Sequence, residues 1–290
     1  MKTPNIAAIV HIYYPEFWPE LAGCLRNIKE PFDLFVTVRS DAGGDAICGK
    51  IIEDFPFAHI TRPENVGYDI WPFLSVINAI DLSPYDIVIK LHTKRDMLMA
   101  APLNGFDMSG AKWRQNLLRF ISTDKAWVAT KRQFTNPKTG AVASLSTILS
   151  YSTTPEPGRI SCRRALLLAH RIFHKRLSRR YKYVGGTMFA IRASLLKPLQ
   201  GIFYSKDFAR SGEVRTEDLA HEIERLFGAC VSAAGMRIVP YRGNLVVHGI
   251  WFFLKRHVLK FFYQRKIKKN GDVIYRILRI PVWRTYVTQT

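Results

Sequence analysis

Tyr85-Asp86-Ile87-Val88-Ile89-Lys90-Leu91-His92-Thr93-Lys94-Arg95-Asp96 is the stretch that decides the fold. A run of Val, Ile and Leu ending abruptly in His, Lys, Arg and Asp reads as a buried strand, parallel and covered on both faces. In open α/β sheets, ligands sit just beyond the carboxyl ends of such strands. The stretch therefore sets cations and a carboxylate where an anionic ligand or its metal would bind. The competing reading is a strand that runs into a solvated charged turn.

Upstream, residues 6–13, 32–38 and 58–61 read as further strands and residues 86–91 as the strand just quoted. Helices are expected between them at 16–28, where Phe17, Leu21 and Leu25 recur at helical spacing, at 46–55 and at 70–80. Strands alternating with helices argue for βαβ units, hence an α/β fold with a parallel sheet. Downstream, 97–110 reads as a loop and 112–122 as a helix. Residues 135–158, rich in Thr, Ser, Pro and Gly, read as a long loop with short elements, of the kind that often covers a site. Residues 163–180 read as a basic helix, Gly185-Gly186 lead into an apolar strand, 216–234 form a helix closed by Gly235, and 237–240 a short strand.

The chain has 290 residues, a formal net charge of +20 and a pI near 10.0. That balance implies a polyanionic partner: nucleic acid, an acidic membrane surface or phosphorylated substrates. Cys24, Cys48, Cys162 and Cys230 are scattered without a C-x-x-C pair, which favours free thiols in a reducing compartment. The N-terminal apolar run is soon interrupted by Tyr13, Pro15 and Glu16, and reads as a strand rather than a signal peptide. No apolar run is long enough to span a bilayer. The expected location is cytoplasmic.

Four constellations could carry chemistry. Asn65, Gly67 and Asp69 precede a helix, whose N-terminus favours anions; Asp69 would alternatively cap that helix. His92, Lys94 and Arg95 could neutralise a diphosphate directly, and Asp96 could hold a metal through oxygen; no Asp-x-Asp metal motif is present. Glu217 and Asp218 open a helix and could supply a general base, or simply give it a favourable charge. His248 is a ligand candidate or a packing residue beside Trp251. The basic helix and the basic, aromatic tail 250–286 fit a membrane surface, a solvated face or nucleic acid; the Trp and Phe clusters favour the membrane, and nucleic acid is not expected.

Taken together, the chain resembles the rhamnan synthesis protein F family. The resemblance rests on His11-Ile12-Tyr13-Tyr14-Pro15, Asp33 to Thr37, Asn65-Val66-Gly67-Tyr68-Asp69 with Pro72-Phe73, Lys90-Leu91-His92-Thr93-Lys94, Trp113-Arg114, Gly186 to Phe189 with Arg192, and His221-Glu222-Ile223-Glu224-Arg225-Leu226. It implies a GT-A-like domain over residues 1–245, a Rossmann-type, mostly parallel sheet flanked by helices, that transfers a sugar, often rhamnose, from a nucleotide sugar to a growing surface polysaccharide. Residues 246–290 would be a basic aromatic extension at the inner face of the cell membrane or packed on the domain. The implied roles are nucleotide-sugar binding for Asn65, Gly67, Asp69, His92, Lys94 and Gly186, and base catalysis for Asp218 or Glu217. Asp96 and His248 would hold a divalent cation, Mn or Mg, unless the reaction is metal-independent. The partners expected are a nucleotide sugar, a glycan or lipid-linked acceptor and an acidic membrane. The alternative is a non-catalytic glycan- or nucleotide-binding protein of the same fold.

Overall fold

The structure, a computed structural model, describes residues 5–95, 110–152, 154, 158–208, 219–247, 250, 254, 262–267, 273–278 and 280–285. The chain divides into two compact units, Met1–Lys94 with Leu117–Arg242, and Arg95–Asn116 with Gly243–Thr290.

The first unit is a mixed α/β layer structure. Among the described residues its strands are β1 (Ile6–Ile12), β2 (Phe32–Val38), β3 (His59–Thr61), β4 (Ile87–His92), β5 (Thr139–Ala143), β6 (Ile148–Ser150), β7 (Lys182–Val184), β8 (Phe189–Arg192) and β9 (Arg237–Pro240). The α-helices among the described residues include α1 (Trp18–Leu25), α2 (Ala42–Asp54), α3 (Ile70–Ala79), α4 (Gly110–Leu118), α5 (Asp124–Gln133), α6 (Gly158–Phe173) and α7 (Leu219–Ala233). Seven strands form the central sheet in the order β3-β2-β1-β4-β8-β5-β9; of these β8 alone runs opposite to the rest. β1 and β4 are buried along their whole length, as continuous apolar strands covered on both faces should be. The pair β6-β7 forms a separate small ladder.

Two expectations are corrected, and one helix is added to them. The Thr/Ser-rich stretch 135–158 is not chiefly a cover: β5, buried throughout, fills the sheet position between β8 and β9. Its Thr-Gly-Ala-Val-Ala sequence is small because Gly140 abuts Val231, Leu195 and Met236. The basic helix lies at Gly158–Phe173 instead of 163–180, because His174 takes the left-handed conformation (φ 52°) that ends helices. Helix α5 was not anticipated; Thr123 caps it through the Ala126 N–H.

Within the second unit, β10 (Tyr263–Ile267), β11 (Val273–Ile277) and β12 (Ile280–Thr285) form an antiparallel three-stranded sheet. The tail, read from sequence only as a basic aromatic extension, thus contains regular strands. No helix among the described residues is long and apolar enough to cross a membrane.

Candidate functional site

The strand order reverses between β1 and β4: β2 and β3 extend from one side of β1, β4 and β8 from the other. Crevices at such reversals, outside the carboxyl ends of the strands, are where open α/β sheets bind ligands. There Thr37, His11 and His92 are register partners on three adjacent parallel strands. They form a polar row across these three strands.

Lys90 lies two residues before His92, on the same face of β4. Its ammonium sits 5.3 Å from the Phe73 ring centroid of α3, and the residue is only 1% exposed. A cation so deep needs a counter-charge. Asp69 supplies it: Lys90 Nζ donates to Asp69 Oδ2 at 2.5 Å and to Thr187 Oγ1 at 2.9 Å, and the Thr187 hydroxyl in turn donates to Asp69. Asp69 occupies the N-cap position of α3 without capping it, so the capping alternative is corrected; the carboxylate is turned to Lys90 instead.

Burial works against the ionised Asp69, but the neighbouring His92 and Lys90 charges and the two hydrogen bonds outweigh it, holding the carboxyl far below the usual range. Burial lowers the Lys90 pKa against the pull of Asp69. The His92 pKa is also lowered, mainly by burial, with Asp69 opposing. Both His92 nitrogens face carbonyls, Gly186 O 2.9 Å from Nε2 and Thr93 O 3.1 Å from Nδ1. Whichever nitrogen carries the proton has an acceptor, and a second proton would find one as well. His11 is pushed down to about 3, chiefly by burial; its Nδ1 lies 2.9 Å from Thr37 Oγ1.

Two left-handed turns frame the cluster. Gly67 (φ 63°) and Tyr68 (φ 55°) deliver Asp69; Gly186 (φ 80°) and Thr187 (φ 50°) deliver the opposing hydroxyl. For β-branched Thr187 this conformation is strained, and it is held by the bonds to Lys90 and Asp69. Glu224 of α7 accepts the Gly186 N–H at 2.7 Å and pairs with Arg225, whose guanidinium stacks 5.1 Å from the Tyr183 ring centroid. Gly67 serves packing: a Cβ there would lie 2.6 Å from Phe208 Cδ1. Thr93 pins the exit of β1, donating its N–H to His11 O and accepting the Tyr13 and Tyr14 N–H groups, each at 2.9 Å.

Asp69, His92 and Gly186 therefore come together. Lys94 is half-buried just past β4, close enough for its charge to lower the pKa values of Lys90 and His92. Asn65 is exposed on the turn before Gly67. Asp96, Glu217, Asp218 and His248 lie outside the described residues. Sequence reasoning passed over Lys90, Thr187, Glu224 and His11 as site residues. Lys90 carried a signal: a lone cation inside Ile-Val-Ile-Lys-Leu-His demands a buried partner. Among the described residues no group of three or more His, Cys, Asp or Glu could hold a metal. Asp69 already has its cation in Lys90, so the described donor set does not fit a divalent ion.

The sequence model of the family described as rhamnan synthesis protein F matches residues 1–236. Two strains of Xanthomonas campestris pv. campestris carry similar proteins, each called uncharacterized protein WxcX. They are 25% identical over 259 and 248 residues, which cover 84% of this chain and 34% of each relative. The chain thus spans about a third of the length of the curated relatives it matches. The crystal structure of S. aureus TarS 1-349 superposes with a TM-score of 0.41 and 10% identity, over 81% of this chain and 57% of that one. That superposition is too loose to carry a shared fold.

Proposed function

The chain belongs to the rhamnan synthesis protein F family, and from that premise we propose that it is a GT-A-like glycosyltransferase of polysaccharide synthesis. It would move a sugar, with rhamnose the first to test, from a nucleotide sugar to a glycan or lipid-linked acceptor. The observation that carries this reading is the buried Asp69–Lys90–His92–Gly186 cluster at the strand-order reversal. His92 and Lys94 would face the diphosphate of the donor, with Asn65 and the Gly67–Asp69 turn at the nucleotide. The acceptor hydroxyl attacks the anomeric carbon, the bond from that carbon to the diphosphate oxygen breaks, and the hydroxyl proton passes to Asp218 or Glu217. The leaving diphosphate departs with its extra negative charge, which Lys94 would offset. The enzyme would work at the inner membrane face, with 246–290 as a basic extension to the domain 1–245.

A second reading, a non-catalytic nucleotide- or glycan-binding protein, is favoured by one observation: the Asp69 carboxylate is committed to Lys90. Thermal melting with a panel of nucleotide sugars, each with manganese or chelator, separates the two. A donor at a hundred times its dissociation constant adds about 2.7 kcal/mol of stability. A shift followed by turnover supports the enzyme, and a shift without turnover supports the binder. Asp218→Asn is expected to slow transfer by about 10²–10⁴-fold; a full rate would remove Asp218 as the base.

A further inference from the structure

Residues 158–182 contain nine arginines and lysines and no acidic residue. Helix α6 turns Ser161, Cys162, Ala165 and Ala169 inward, a stripe of small side chains that lets it pack closely along α7. The opposite stripe is exposed and carries Arg163, Leu167 and Arg171 at intervals of four residues, one above the other on the helix. The turn after His174 adds Arg176 and Arg180, also exposed.

The cations divide into two sets. Some are already engaged: Arg164 pairs with Glu222 at 3.2 Å, Lys175 donates to Ala233 O at 2.9 Å, and Arg179 stacks on Tyr151. Arg163, Arg171, Arg176 and Arg180 have no acidic partner among the described residues. Exposed guanidinium groups on and just after one helix, without carboxylates to pair with, favour an outside anion. In their midst Leu167 is 61% exposed, one turn from Arg163 on one side and from Arg171 on the other. A purely phosphate polymer makes no use of a leucine at that point; a bilayer does, because its anionic headgroups lie directly over an acyl layer. The 16-residue helix is roughly 24 Å long, enough to lie flat across several headgroups.

We propose that the outer face of α6, with the turn that follows it, docks the protein on an acidic bilayer. The arginines sit at the lipid phosphates and Leu167 enters the boundary beneath them. This rests on the membrane-surface reading above and deepens it by naming the face of the basic helix that makes the contact. Vesicle binding is read without sugar transfer, so this proposal and the transferase reading can fail separately.

The test is co-sedimentation of the full chain with phosphatidylcholine vesicles, with and without about one-third phosphatidylglycerol. Binding is expected only with phosphatidylglycerol, weakening about fivefold or more per arginine reversed in R163E/R171E and in R176E/R180E. Leu167→Asn is expected to weaken vesicle binding severalfold while leaving binding to duplex DNA unchanged. These side chains are exposed, so melting temperatures should stay near that of the unmodified protein. Wild-type vesicle binding by both arginine pairs would overturn the proposal. So would Leu167→Asn that binds vesicles normally while the arginine variants lose DNA, which would make the face a nucleic-acid site.

Discussion

Lys90 and Asp69 form the kind of ion pair whose members depend on each other more than the fold depends on the pair. Removing one leaves a charge stranded in a site closed by Phe73 and Thr187, whereas removing both leaves a neutral patch. Lys90→Met should therefore cost about 3–5 kcal/mol in urea unfolding. The double variant Lys90→Met/Asp69→Asn should cost less than the sum of the two single changes, by about 2 kcal/mol. Strict additivity would mean that the two groups do not interact. At this scale the site was half legible. Asp69, His92 and Gly186 stood out as a polar residue at a helix start, a histidine at a strand end and a glycine in a turn. Thr187 did not, because nothing in the letter T announces a left-handed threonine. Glu224 was hidden inside a helix as one carboxylate among several, and only the folded partner Gly186 distinguishes it.

The elements were more legible, and their failures have a common cause. Strand β2 and strand β9 agree residue for residue with expectation, and α3 differs by one residue at its end, since each is long or apolar enough to be read locally. β5 was missed because its small residues carry no strand signature; their smallness answers α7 and the turn at Met236, which are distant in sequence. The same close packing makes Gly228 a sharp test. This α7 residue faces β7 so tightly that a methyl group would lie 2.1 Å from Lys182 O and 2.7 Å from Tyr183 Cα. Backbone cannot step aside as a side chain can, so Gly228→Ala should destabilise the domain by about 1–3 kcal/mol. The melting temperature should fall by several degrees. An unchanged melting temperature would show that α7 does not approach β7 this closely.

For the molecule as a whole, acid is the informative perturbation. His11 has a folded pKa of about 3 against 6.5 when unfolded, so between these values the unfolded chain binds the extra proton. Stability therefore falls as pH drops through that window, by about 2 kcal/mol between pH 6.5 and 4.5 from this residue alone. His11→Gln should flatten that part of the pH–stability curve, as measured by urea midpoints. Asp69 acts in the same direction at lower pH: its depressed pKa adds stability above the ordinary carboxylate range that is lost on further acidification. The α/β class and the strands of the sheet's first half, β1 to β4, could be read from alternating apolar runs. The second half could not, because β5 joins the sheet between two strands that follow it in sequence.

That late insertion has a consequence for how the protein is made. When β4 ends at His92, its outer edge has no neighbour, and the strand that covers it, β8, begins about a hundred residues later at Phe189. Until β8 arrives, a nascent chain exposes an open, apolar ladder edge of the sort that pairs with other chains. The residues just ahead of β8 are Gly186 and Thr187, the partners that His92 and Lys90 lack until then. Covering the vulnerable edge and completing the polar cluster around Lys90 and His92 thus depend on one and the same segment of chain.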